Sequence, residues 1–169
     1  PKEIKSNLNT HLFDEFGVEE VATYMENNEI YIDCKSISKR KLLENAVSFL
    51  KNIEGVQEVF IPEFDSGKIS NSIINGFIKN SYHSQNSGDI LLHFNSGWML
   101  ERHHGCSHNT SYTSDTHVPL LWYGWGVPKG ESVEKVEITQ IAPTLSFLLN
   151  IPLANASETK PIEALFSID

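Results

Sequence analysis

The sequence is short of cysteine, short of basic residues and without a long apolar run, and each shortage excludes something. Two cysteines, Cys34 and Cys106, allow at most one disulfide. That is too few for a disulfide-framed module. Lys and Arg number 13 against 22 Asp and Glu, a formal net charge of -9. Such a surface repels phosphate backbones, so neither a nucleic-acid partner nor an anionic membrane surface is expected, although a local positive centre such as a bound metal remains open to it. The longest uncharged apolar stretch, Val118–Pro128, falls short of the ~18 residues of a membrane span and is interrupted by Pro and Gly, so no span is expected. No secretory leader is visible over Pro1–Leu12. There is no Gly-x-Ser-x-Gly elbow, Walker loop, dinucleotide fingerprint or internal repeat. The chain starts at Pro rather than Met, which reads as a processed or engineered piece whose preceding part would carry any targeting signal.

What is present is ordinary globular material: 169 residues, 40% hydrophobic and 21% charged, enough to bury a real core. Val18–Met25 and Glu29–Cys34 have strand character, with Asn27-Asn28 as a turn between them. Leu42, Leu43, Ala46, Val47, Leu50 and Ile53 recur at helical spacing, which predicts a helix Ser38–Ile53 closed by Gly55. Val56–Ile61 is a strand stopped by Pro62. Ile69, Ile73, Ile74, Phe77 and Ile78 predict a second helix, Ser66–Asn80, and Asp89–Phe94 a fourth strand. This order predicts an α+β fold with a small mixed or antiparallel sheet flanked by helices. Residues 95–116 read as a long loop, and Val118–Tyr123 as a strand buried on both faces. Thr139 is placed to cap a last helix bearing Ile141, Leu145, Leu148 and Leu149. The division expected is 1–86 as a β-β-α-β-α subdomain and 87–169 as a C-terminal segment.

Four of the seven histidines, His103, His104, His108 and His117, fall with Asp115 in one 15-residue window rich in Ser and Thr. Imidazole and carboxylate are ligands for zinc and its neighbours, and a loop ending at a rigid element can fix them. The same histidines on a surface loop can equally be solvated, and no closed structural-zinc spacing is present. Cys106 beside two histidines could be a thiolate, but nothing nearby supplies an oxyanion hole. Trp98, Trp122 and Trp125 read as core or as a binding wall.

The stretch SGDILLHFNSGWM, then GCSHNTSYTSDTHVPLLWYGWGV, then TQIAPTLSFLLNIP resembles the C-terminal part of the alkaline phosphatase superfamily. The branch is that of the PafA-like bacterial alkaline phosphatases, which shades into type I phosphodiesterases and nucleotide pyrophosphatases. The resemblance implies a fragment of an α/β alkaline-phosphatase-like fold. It further implies a phosphate-ester substrate, two zinc ions in the intact parent, and a periplasmic or secreted location. The Thr or Ser nucleophile and most metal ligands would lie upstream of this chain, leaving no catalytic residue within it. His108, in Ser107-His108-Asn109, stands at the family's Thr-His-Gly position and is expected to ligate zinc. His117 is a weaker candidate ligand, and Asp115 is expected to orient a histidine from behind. The pattern is broken at Asn109, where the family has Gly, and at Gln140, where it has Asp. Alone, the chain is expected to be inactive and to hold zinc weakly or not at all. An uncovered edge at Val118–Tyr123 would invite self-association. The alternative reading is a non-catalytic α+β module that binds a metal or a partner.

Overall fold

The computed structural model describes residues 2–65, 72–100, 108, 110–124 and 126–166. Two compact units are present, Pro1–Val118 and Pro119–Asp169.

The first unit is built on a four-stranded sheet: β1 (Ala22–Glu26), β2 (Glu29–Ile32), β3 (Val56–Phe60) and β4 (Ile90–Phe94), in the order β1-β2-β4-β3. Every pairing is antiparallel, which settles the expected mixed or antiparallel sheet as antiparallel. The β1–β2 hairpin turns at Asn27, whose φ of 50 is a conformation asparagine tolerates better than most residues. On β4 the burial alternates, with Ile90, Leu92 and Phe94 facing the core, as a half-buried strand requires. Although β4 lies beyond residue 87, in space it belongs with the first unit.

Helices α1 (Lys2–Phe16) and α2 (Lys39–Leu50) pack on one another, α1 against β1 and α2 against β3. The expected apolar face of α2 is the one buried: Leu42, Leu43, Ala46 and Leu50 are sealed from solvent. No sequence expectation covered α1. Its Leu8 and Leu12 are nonetheless fully buried, and Ile4 and Phe16 pack against the same core. Those four residues stand four apart, the spacing of a narrow helical stripe, diluted by the polar residues between them. Two short helices follow the sheet's third strand, α3 (Pro62–Asp65) and α4 (Ser72–Ser81). The expected start of α4 at Ser66, and Ile69 with it, lie outside the described residues.

Two glycines fix close approaches. Gly55, with φ +86, lies so close to the Trp98 indole that a Cβ would fall 2.1 Å from it. Trp98 is therefore packed across the end of the α2–β3 connection. Gly88 lets the chain cross the Glu29–Ile30 backbone, where a Cβ would stand 2.8 Å from that of Glu29. Next to it, Asp89 Oδ2 accepts the Ile32 N–H (2.7 Å) and Asp89 Oδ1 pairs with Lys39 Nζ (2.6 Å). The Ser-Gly-Asp run before β4 thus pins β2, α2 and β4 together.

Val118–Tyr123 is corrected by the structure. No strand is assigned there, and Val118, Leu120, Leu121 and Tyr123 are exposed, Leu121 at 89%. An apolar run becomes a buried strand only when a neighbouring strand supplies hydrogen bonds and a layer covers each face. Among the described residues no strand pairs with it, and Pro119 has no N–H to offer one. The long loop is corrected in part, since Thr113–Thr116 forms one helical turn, α5.

In the second unit a 3-10 turn, Ile138–Gln140, leads into α6, Ile141–Leu148. Thr139 lies inside that turn and is not the cap. Glu137 is the cap residue, and its backbone N–H is bonded by Gln140 Oε1 at 2.8 Å. Gln140, the departure from the family's Asp, is thus used in capping; its Nε2 also donates to the Lys160 carbonyl (3.2 Å). No described helix is long and apolar enough to cross a membrane.

Candidate functional site

The segment carrying His108, Asp115 and His117 is fastened to the sheet by two aromatic residues. His93, on β4, places Nε2 2.8 Å from Ser111 Oγ, and its ring lies against Tyr112 with centroids 5.4 Å apart. The Tyr112 hydroxyl shares its proton between Gln57 Oε1 (2.6 Å) on β3 and the Phe94 carbonyl (3.0 Å) on β4. Residues 110–117 are therefore held at the β3–β4 side of the sheet. His93 and Tyr112 were not singled out from the sequence. His93 alternates with the core residues of β4, a position that carries no motif in the sequence.

Asp115 closes the turn internally. Its Oδ2 accepts both the Thr110 N–H (2.9 Å) and the Thr110 hydroxyl (2.7 Å), and its Oδ1 accepts the Ser114 hydroxyl at 3.4 Å. The Thr110 hydroxyl, then the Thr110 N–H, hold its carboxyl below the usual range, and the charge of His108 adds in the same direction. His108 is thus near enough for its imidazole and the Asp115 carboxylate to interact electrostatically. The hydrogen-bond partners of the carboxylate are Thr110 and Ser114. His108 is exposed on the loop. His117 is also exposed and ends α5, donating its N–H to the Thr113 carbonyl (3.0 Å). His103, His104, Cys106, Asn109 and Trp125 lie outside the described residues.

Among the described residues no group of three or more His, Cys, Asp or Glu side chains is arranged to hold a metal ion. Zinc needs three or four converging protein ligands. The described donors therefore do not by themselves make up a zinc site. An open depression of about 540 Å³ is lined by Gly17, Val18, Val21 and Asp33–Ser36, none of them in this segment.

Burial lowers the pKa of His93, with Glu58 opposing. Its Nδ1 is buried without a hydrogen-bond partner, so protonation would place an unpaired N–H there. Unfolded, the ring titrates near the ordinary value of ~6.5. The native state binds fewer protons than the unfolded state below that pH. The stabilisation is therefore complete above about pH 6.5 and is lost as pH falls from there towards the lowered native value. Between about pH 7.5 and 5, the melting temperature of the wild-type chain should fall more steeply than that of a His93→Gln variant. Equal slopes would show that His93 does not titrate against the fold.

No protein-family model matches the sequence. Among curated proteins the chain is similar to alkaline phosphatase PafA of Elizabethkingia meningoseptica, 30% identical over 176 residues, covering 95% of this chain and 31% of PafA. Alkaline phosphatase PhoV of Synechococcus elongatus is also 30% identical, over 96% of this chain and 30% of PhoV. A calcium-transporting ATPase of Myroides odoratus is 27% identical over 96% of this chain and 31% of its own length. The crystal structure of wild-type PafA superposes with a TM-score of 0.89 at 27% identity, over 98% of this chain and 33% of that one. A PafA mutant structure gives 0.85 at 29% identity, over 95% and 32%. The chain spans about a third of the length of these relatives.

Proposed function

We propose that this relative of the PafA-type alkaline phosphatases is the C-terminal region of a zinc-dependent phosphate-ester hydrolase, of the alkaline phosphatase or phosphodiesterase kind. The observation that carries the reading is the match to PafA over nearly the whole chain, in sequence and in fold, with His108 presented on the segment that His93 and Tyr112 anchor. In such a parent, residues 1–86 are an α+β subdomain and 87–169 the C-terminal segment, and the protein acts in the periplasm or outside the cell.

The residues of this chain would do a limited part of the work. His108 offers a neutral imidazole nitrogen to one of two zinc ions. Asp115, held by Thr110 and Ser114, stabilises the orientation of that imidazole, as carboxylates behind metal-bound histidines do. His117 stands nine residues on as a substitute ligand. Bound zinc would supply activation of a hydroxyl nucleophile and neutralisation of charge on the phosphoryl oxygens. The nucleophile and the remaining ligands belong to the two thirds of the relatives that this chain does not span, so the chain alone has no turnover. In isolation the exposed Val118–Tyr123 run favours self-association.

Calorimetric titration of the chain with zinc tests the single-ligand reading. One imidazole gives weak binding, because affinity comes from several converging ligands. Weak, non-saturating heats are expected. Tight stoichiometric binding, abolished by His108→Ala together with His104→Ala, would overturn it and favour a self-sufficient metal-binding module.

A further inference from the structure

Asp115 closes a ring of chain on Thr110, and Ser111 and Tyr112 lie inside that ring. Both are gripped from the sheet. His93 places Nε2 2.8 Å from Ser111 Oγ, and its imidazole lies against the Tyr112 ring. The Tyr112 hydroxyl reaches Gln57 on β3 and the Phe94 carbonyl on β4. On its other side, the Tyr112 carbonyl accepts the N–H groups of Asp115 (2.9 Å) and Thr116 (3.0 Å) and the Thr116 hydroxyl (3.1 Å). A shift of Ser111 or Tyr112 therefore carries Asp115 with it, and Asp115 is the carboxylate that interacts with His108. His93 itself has a firm base, between buried Leu92 and Phe94 and opposite Glu58 on β3.

The surroundings of the imidazole decide which nitrogen carries its hydrogen. Nδ1 is buried and meets no hydrogen-bond partner among the described residues. A hydrogen there would be a buried donor left unpaired, a rarer and costlier state than a bare acceptor. The hydrogen belongs on Nε2, where Ser111 Oγ accepts it.

We infer that His93 is a positioning residue for the candidate ligand His108: as the neutral Nε2–H tautomer it donates to Ser111 Oγ and holds the Thr110–Asp115 ring in place beside β3 and β4. A ligand carried on a loop is only as well placed as the loop, and groups behind it set its orientation. His93 acts through Ser111 and the Asp115 turn, from a strand whose own place is fixed by the core. The inference rests on the phosphatase reading for the role of His108; the clasp stands without it. Side-chain length makes the inference specific. A glutamine at position 93 carries an amide N–H at the reach of Nε2 and keeps the bond, whereas alanine has no donor.

Two measurements on the isolated chain need neither zinc nor turnover. At about pH 8, where an ordinary imidazole is neutral, long-range proton–nitrogen NMR reads the tautomer of His93. The hydrogen is expected on Nε2, and finding it on Nδ1 would overturn the inference. Hydrogen exchange then reads the turn. The amides of Asp115, Thr116 and His117 should exchange about tenfold faster in His93→Ala, the worth of one hydrogen bond, and at the wild-type rate in His93→Gln. Val59→Ala is the control: it loosens the buried face of the same sheet without touching the clasp, and a short turn exchanges by local opening, so these amides should not respond. Unchanged exchange in His93→Ala, no rescue by glutamine, or an equal response to Val59→Ala would each overturn the positioning role. In the full-length parent, zinc affinity is read by competition with a chelator. His93→Ala should weaken it by ~10–100-fold, the range for a residue that supports a metal ligand, and His93→Gln should restore it. Unchanged affinity in His93→Ala, where His108→Ala does weaken it, would overturn the inference. A parent whose zinc affinity survives His108→Ala would instead refute the ligand reading of His108, and the exchange rates would still decide the clasp.

Discussion

On the proposed reading, replacing His108 with Ala in a full-length parent should lower phosphate-ester hydrolysis by more than about 100-fold, beyond the ~10–100-fold typical for loss of a residue that only supports a metal ligand. Bound zinc would stabilise charge that develops in the transition state, so the loss should fall on kcat as well as on kcat/KM. Zinc content, measured on the purified variant, should drop towards half. Asp115→Asn should act more mildly, within that ~10–100-fold range, because it disturbs a supporting contact and the Thr110 turn rather than the ligand itself. A His108→Ala enzyme with full zinc content and unchanged rate would remove His108 from the metal centre.

Leu12→Ala should destabilise the chain by about 2–5 kcal/mol, the range for a fully buried leucine cut back to a methyl group. Leu12 has no solvent exposure and belongs to the same core cluster as Leu8, Leu43 and Leu50. A loss of that size lowers the melting temperature by on the order of 10 °C for a domain of this length. The exposed Glu15 on the same helix provides the control: Glu15→Ala should cost less than ~0.5 kcal/mol. If Leu12→Ala melted like Glu15→Ala, α1 would not be part of the core.

The contrast between α1 and α2 shows what the sequence made legible. In α2, Leu42, Leu43, Ala46 and Leu50 are dense enough to stand out as a helical face. In α1 the same chemistry is spread over Ile4, Leu8, Leu12 and Phe16, one residue per turn, and passes as a polar stretch. Val118–Tyr123 fails in the opposite way. Its composition suits a buried strand, but burial is a property of what covers a segment, and Val118, Leu120, Leu121 and Tyr123 are left exposed. The helix start at Thr139 was misplaced because side-chain capping depends on backbone geometry, and the glutamate–glutamine pair Glu137/Gln140 also satisfies it.

The candidate site divides along the same line. His108 and Asp115 stood out through motif spacing, and their electrostatic proximity is a local matter of a few residues. The clasp that holds them is not local: His93 and Gln57 come from strands 18 and 55 residues away from the groups they contact. No periodicity in the sequence links those positions. Only the antiparallel pairing of β3 with β4 places Gln57 and Phe94 where one tyrosine hydroxyl meets both.

The most direct measurement is hydrolysis of p-nitrophenyl phosphate, and of its bis-ester, by the purified chain with added zinc. On the proposed reading His108 is one ligand of a larger centre, and the sequence has no recognisable nucleophile motif. A rate indistinguishable from that of zinc in buffer is therefore expected. Zinc-dependent turnover that follows the protein through purification and disappears in His108→Ala would contradict the reading of this chain as one part of a larger hydrolase.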